Sequence, residues 1–175
     1  ETGITDAIFV ALKDPTYLML FFGFFSCGFQ LAFITAHFPA FIVDYSSPIV
    51  EGSLISLVCN SVEGLGALSM ALIGFFNIAG CLIAGALGKG YYKKYLLSLI
   101  YTGRTIAAIA FILMPITPTS VAIFSIIMGA LWLATVPLTS GIIGHIYGLK
   151  FMGTLYGIVF FSHQLGSFVG VWLGG

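Results

Sequence analysis

Charged residues are scarce in this chain, and their scarcity indicates what surrounds it. Only 7% of the 175 residues are Asp, Glu, Lys or Arg, whereas 59% are hydrophobic. Soluble domains carry about 25% charged residues, which keep their surface in contact with water. A chain with so few is predicted to be surrounded mainly by lipid. The net charge is zero, which argues against a nucleic-acid partner.

Patterns that support enzyme or metal chemistry are also missing. Cys27, Cys59 and Cys81 are scattered and show neither a C-x-x-C pair nor a zinc-ligand spacing. No G-x-S-x-G, H-E-x-x-H or P-loop pattern occurs, and residues 64–66 resemble a dinucleotide loop only in their two glycines. We therefore predict that the chain is not an enzyme and has no catalytic residue, no metal ion and no cofactor.

What the chain does contain is apolar runs of membrane length. A spanning helix needs about 20 apolar residues, and strands in lipid would leave open edges whose backbone groups have no partner. The predicted fold class is therefore an all-α integral membrane protein with five transmembrane helices. The predicted spans cover about residues 17–43, 65–87, 95–115, 119–144 and 152–174.

The charges outside the spans predict the orientation. All the lysines fall on one side of the alternating spans, and the other side carries only acidic residues. The lysine side is predicted to be cytoplasmic, because positive residues accumulate there. Within the acidic side, the long 44–64 loop is left open as an interfacial helix, an external helix or a disordered cover. The residues concerned are Lys13, Lys89, Lys93, Lys94 and Lys150 on one side, and Asp44, Glu51 and Glu63 on the other.

A few polar side chains lie deep in the predicted spans. Arg104 lies about 13 Å along the third span, where a lone charge costs about 2.5–10 kcal/mol or more. It has either a gating or anion-binding role, or a packing role in which it bonds backbone carbonyls. His163 and Gln164 lie about 16 Å into the fifth span. Because histidine titrates near neutral pH, His163 is our first candidate for a proton- or solute-linked residue, with Gln164 beside it as an orienting group.

The alternative for His163 is a neutral histidine hydrogen-bonded to a neighbouring helix. Gln30 and His37 in the first span, and Asn77 in the second, are weaker solute candidates, because such residues more often join helices. Gly166, Gly170 and Gly174 form a repeated small-x-x-x-small pattern that predicts close helix packing. Pro137 predicts a bend in the fourth span.

One cytoplasmic loop resembles a known signature. Residues 85–94 read GALGKGYYKK, which is similar to a degenerate copy of the major facilitator superfamily loop signature. Gly85, Leu87, Lys93 and Lys94 match it, whereas Lys89 takes the acidic position. Other stretches, including ALIGFFNIAG and GTLYGIVFFSHQLGSFVGVWLGG, resemble bacterial transporters of the monocarboxylate or oxalate–formate type.

The resemblance implies that the five spans match helices seven to eleven of a twelve-helix transporter. The chain would then be most of a C-terminal half, and its partners would be the missing N-terminal half, the last helix, the lipid bilayer and a small solute. Two such halves rock about a central site, and the solute is expected to be an organic anion, with or without a proton, in a bacterial inner membrane. The alternative is a non-transporting scaffold or assembly subunit held by its glycine faces.

Overall fold

The computed structural model describes residues 3–175. In that range the regular structure is helical and contains no strand, which confirms the predicted all-α class. The helices are α1 Ile4–Lys13, α2 Pro15–Tyr45, α3 Val62–Gly90, α4 Lys93–Leu113, α5 Pro118–Leu131, α6 Thr135–Tyr147 and α7 Met152–Gly174, with a short 3-10 turn at Ile55–Leu57.

Five segments of residues 3–175 are long and apolar enough to cross a membrane: α2, α3, α4, α5 together with α6, and α7. These are the five predicted spans: the fifth has the predicted bounds, and each of the others differs from its prediction by only a few residues at its ends. Two capping side chains mark where helices begin. Ser61 caps α3 by accepting a hydrogen bond from the backbone N–H of Gly64 at 3.0 Å, and Thr117 caps α5 just before Pro118.

Three features differ from the predictions. The amphipathic helix α1 was not predicted, because its ten residues are too few for a span. The fourth span is not one helix but is interrupted between α5 and α6. The stretch expected to be a cytoplasmic loop is also mostly helical, since Gly85–Gly90 continues α3 and only Tyr91 and Tyr92 connect it to α4. The signature residues Lys93 and Lys94 therefore begin α4.

The structure divides into two compact units. The first contains the chain up to Ala36 together with Leu138–Gly175, and the second contains His37–Pro137. The helices α2 and α6 contribute residues to both units. In the second unit, Phe111 of α4 packs on Phe38 and Phe124, with ring centroids 5.7 and 4.4 Å apart. The backbone N–H of Ser47 donates to the carbonyl oxygen of Ile116 at 3.0 Å.

In the first unit, polar contacts join the start of α2 to α6 and α7. Asp14 caps α2, because its carboxylate accepts from the backbone N–H of Thr16 at 2.8 Å. The same carboxylate accepts from the Tyr147 hydroxyl at 2.5 Å, and this bond is the main cause that lowers the pKa of Asp14. The hydroxyl of Tyr17 donates to the carbonyl oxygen of Leu155 at 2.7 Å.

The Tyr147–Asp14 bond generates a prediction. In Tyr147→Phe the pKa of Asp14 should rise towards its ordinary value of 3.8, because the largest stabiliser of the carboxylate is gone. The stability that the lowered pKa contributes is present above the unfolded-state pKa and is lost as the pH falls through the folded-state pKa. An NMR titration of Asp14 measures the shift, with Tyr92→Phe as the control. An unchanged pKa in Tyr147→Phe would contradict the assignment.

Candidate functional site

The interruption of the fourth span covers Trp132–Ala134. The Trp132 N–H bonds the carbonyl oxygen of Gly129, and the Val136 N–H bonds that of Leu133, each at 3.0 Å and three residues back. Pro137 supplies the reason, because it has no N–H and its ring would clash with the carbonyl of Leu133, four residues earlier. The bend predicted at Pro137 is therefore a break that lies before it.

Asn77 of α3 bonds the backbone at this break. Its side-chain oxygen accepts from the Leu133 N–H at 3.0 Å and from the Cys81 thiol at 3.4 Å. An unbonded buried amide would cost about 1–3 kcal/mol, so this side chain supplies a bond that the interrupted helix needs. One turn along α3, Gly80 lies so close to Ala130 that a methyl group would collide with the carbonyl oxygen of Ala130. Asn77 thus joins two helices, whatever further role it has.

Irregular backbone at membrane depth is tolerated where protein buries it or where it lines a water-filled cavity. In transporters, discontinuous helices also form solute and ion sites. Here Trp132 is 8% exposed and Ala134 is 3% exposed, so protein covers the break in this structure. The break is therefore a candidate hinge or solute contact, and protein covers most of it in this structure.

The second candidate lies in the first unit, around His163 of α7. A methyl group on Gly28 of α2 would collide with the backbone carbonyl oxygen of His163, so the two helices touch backbone to backbone there. The Ser167 hydroxyl lies 2.9 Å from this carbonyl oxygen and 3.3 Å from that of Gly28. Five residues before Ser167, the Ser162 hydroxyl lies 2.7 Å from the carbonyl oxygen of Phe21. The backbone of His163 is thus held where α2 and α7 pack closely together.

The imidazole of His163 is surrounded by rings. It stacks on Phe160, with centroids 5.5 Å apart and planes at 2°, and it meets Phe24 edge-on at 5.9 Å. Among residues 3–175, neither ring nitrogen has a hydrogen-bond partner, although both are buried. The Tyr156 hydroxyl is in the same situation. The neutral, helix-bonded histidine considered as an alternative would need a partner that these residues do not supply.

Tyr156 is a candidate that the sequence analysis missed. Its ring meets Phe24 edge-on at 6.0 Å and lies 6.1 Å from Phe160. The sequence contains one signal that could have identified Tyr156. It precedes Phe160 by four residues and His163 by seven, and residues at these spacings share a helix face.

Arg104 is also buried, with 1% of its surface exposed. Its guanidinium carbon lies 5.5 Å from the centroid of the Tyr101 ring on the same helix, within the range of a cation–π interaction. It belongs to the second unit. Among residues 3–175, no group of three or more His, Cys, Asp or Glu side chains is placed to hold a metal ion.

The remaining candidates are distributed between the two units. Gln30 is half-buried on α2 in the first unit, and His37 is half-buried in the second. Gln164 is exposed on α7. The glycines Gly166 and Gly170 lie against the α2 backbone, at Phe25 and Phe29, whereas Gly174 is exposed at the end of α7.

Comparison with known proteins gives one informative relative. No family model matches the chain, and no solved structure matches it. A protein of Bacillus subtilis (strain 168), described as the uncharacterized MFS-type transporter YcxA, is 31% identical over 163 residues. The chain is similar to a major facilitator transporter. The alignment covers 90% of this chain but only 36% of the relative, so the chain spans little more than a third of that protein's length.

The Asn77–Leu133 bond generates a prediction. Asn77→Ala should lower the free energy of unfolding by about 1–3 kcal/mol, because the Leu133 N–H loses its buried acceptor. Hydrogen exchange of residues 131–136, followed by mass spectrometry, should become faster. Cys81→Ala is the matched control, since it removes the thiol and leaves the Asn77 oxygen on Leu133. Equal protection of this segment in the two variants would show that Asn77 does not hold the break.

The contact at Gly28 generates another prediction. Gly28→Ala should destabilise the protein by about 1–3 kcal/mol, because α2 and α7 must separate to admit a methyl group. Gly157→Ala is the control on α7, where nothing lies within 4 Å of the added carbon, and it should not destabilise the protein, because Ala is favoured over Gly in a helix by up to about 1 kcal/mol. Unfolding of both variants in bicelles gives the comparison, and similar losses would refute the close contact.

Proposed function

We propose that this chain is part of a secondary transporter of the major facilitator superfamily that moves a small solute by alternating access. The observation that carries the proposal is the similarity to an MFS-type transporter over 90% of the chain. The interrupted fourth span and the buried ring nitrogens of His163 support it, because transporters use discontinuous helices and intramembrane ionisable groups at their solute and ion sites.

We propose further that the five spans correspond to helices seven to eleven of a twelve-helix transporter. The relative is much longer than the aligned region, since the alignment covers 36% of it. On this proposal, the six-helix N-terminal half and the last helix of the same transporter are the chain's partners. Its membrane is a bacterial inner membrane, with Lys93, Lys94 and the other lysines on the cytoplasmic side.

For the solute we propose a small organic anion such as a monocarboxylate, carried with a proton. His163 is the proposed proton- or solute-linked residue, because its ring nitrogens are buried without a partner among residues 3–175. Gln164, one residue on, is the proposed orienting group. Gln30, His37 and Asn77 remain proposed contacts on their own helices, and Arg104 is proposed to be structural or to take part in gating.

The test is whether water reaches α7 at mid-membrane. In the complete protein without its native cysteines, Gln164→Cys should react with a charged, membrane-impermeant thiol reagent more than about tenfold faster than Leu165→Cys, because the reactive thiolate forms in water and not in lipid. The two positions are adjacent in depth and point to different faces of the helix. Both side chains are exposed in this chain, so burial within it does not separate them.

A fast Gln164→Cys reaction supports a water-filled pathway beside α7. Equally slow reactions at both positions would contradict the transport proposal and favour the scaffold, in which the glycine faces of α2, α3, α5 and α7 serve only assembly. The close helix packing at Gly166 and Gly80 supports this scaffold alternative.

A further inference from the structure

In the first unit four aromatic side chains pack together, and two of them carry buried polar atoms. Tyr156, Phe160 and His163 follow one another along a single face of α7, at spacings of four and three residues. Phe24 of α2 faces the row and meets both of its ends, with ring centroids 6.0 Å from Tyr156 and 5.9 Å from His163. We call these four residues the ring cluster.

The ring cluster contains hydrogen-bonding capacity that residues 3–175 do not use. The hydroxyl of Tyr156 and both imidazole nitrogens of His163 are buried without a partner there. Neutral imidazole has one donor and one acceptor nitrogen, and a phenol both donates and accepts. Such groups are stable in a buried position only if something bonds them, so the cluster is suited to a ligand that brings polar atoms with it.

The chemical groups of the cluster indicate which ligand atoms it can bind. The helices that carry the cluster, α2 and α7, contain no Lys or Arg. The groups that face a ligand are therefore a phenol, an imidazole and two phenyl rings, with no fixed positive charge. Oxygen acceptors of a carboxyl or carbonyl group match the phenol and imidazole donors, and a flat ring matches the edges and faces of Phe24 and Phe160.

The rings of the cluster differ in their exposure. Phe24 is 1% exposed, whereas Phe160 is 38% exposed. The His163 end of the row is held by close contacts, since Ser162 and Gly28 join α7 to α2 there. The Tyr156 hydroxyl and both imidazole nitrogens are buried, so a solute must displace a ring of the cluster in order to bond them.

We propose that the ring cluster binds an aromatic solute that carries a carboxyl or carbonyl group. The aromatic ring packs against Phe24 and Phe160, and the solute oxygens accept hydrogen bonds from the Tyr156 hydroxyl and the His163 imidazole. This inference rests on the proposed transport function and narrows the small organic solute to an aromatic one. It also makes Tyr156 a specificity-determining residue.

The probe is benzoate, compared with cyclohexanecarboxylate, which has the same carboxyl group on a ring that is not flat. The unfolding temperature of the complete protein in detergent is measured against the concentration of each compound, because a ligand of the folded state raises it by mass action. Benzoate is expected to bind about tenfold or more tightly than cyclohexanecarboxylate, since only its ring makes aromatic edge and face contacts.

Two variants separate a binding role from a structural one. Tyr156→Phe keeps the ring and removes the hydroxyl, and should weaken benzoate binding about tenfold, whereas Tyr92→Phe on the exposed α3–α4 connection should leave it unchanged. Phe160→Leu should reduce the preference for benzoate to within about threefold. No benzoate binding to the folded protein, equal binding of the two probes, or wild-type binding in Tyr156→Phe would each overturn the inference.

The benzoate experiment and the Gln164→Cys experiment test the two proposals separately. A reactive Gln164→Cys with no benzoate binding overturns the aromatic solute and leaves the transporter standing. Benzoate binding with the tyrosine and ring dependence described, but with an unreactive Gln164→Cys, supports the ring cluster as a binding site and contradicts transport.

Discussion

Direct contact between helix backbones is the constraint on which the rest of this structure depends. In lipid, apolar side chains gain little by leaving their surroundings, so helices associate through close packing and hydrogen bonds. Glycine permits this in both units: Gly28 and Gly166 at the α2–α7 contact, and Gly80 and Gly129 at the α3–α5 contact. At Gly129 an added carbon would lie only 2.7 Å from the carbonyl oxygen of Ile73.

The polar groups at membrane depth are arranged around these contacts. Asn77 lies one turn before Gly80 and reaches the backbone of the interrupted fourth span. His163 presents its carbonyl oxygen to Gly28, so the same close approach that joins α2 to α7 determines where its imidazole lies. A side chain at either glycine would separate the helices and move these groups, because packed interiors do not absorb an added methyl group without a shift.

The two buried polar sites differ in a way that bears on function. The side-chain oxygen of Asn77 is satisfied within the chain, since it accepts from the Leu133 N–H and the Cys81 thiol. His163 and Tyr156 have polar atoms that residues 3–175 do not satisfy. A buried polar atom without a partner is costly and rare, which is why the α7 site, rather than the α3 site, is the stronger candidate for contact with a solute.

Composition and hydropathy determined the class of this protein, the number of its spans and their approximate ends, because lipid allows few alternatives to long apolar helices. They also predicted that Pro137 disturbs the fourth span. The tertiary structure decided where that helix breaks, which depends on the carbonyl of Leu133 and on the reach of Asn77 from another helix. It also decided that Tyr156 and His163 flank Phe24, because a pairing between side chains of two helices depends on how those helices rotate and pack, which a single sequence does not show.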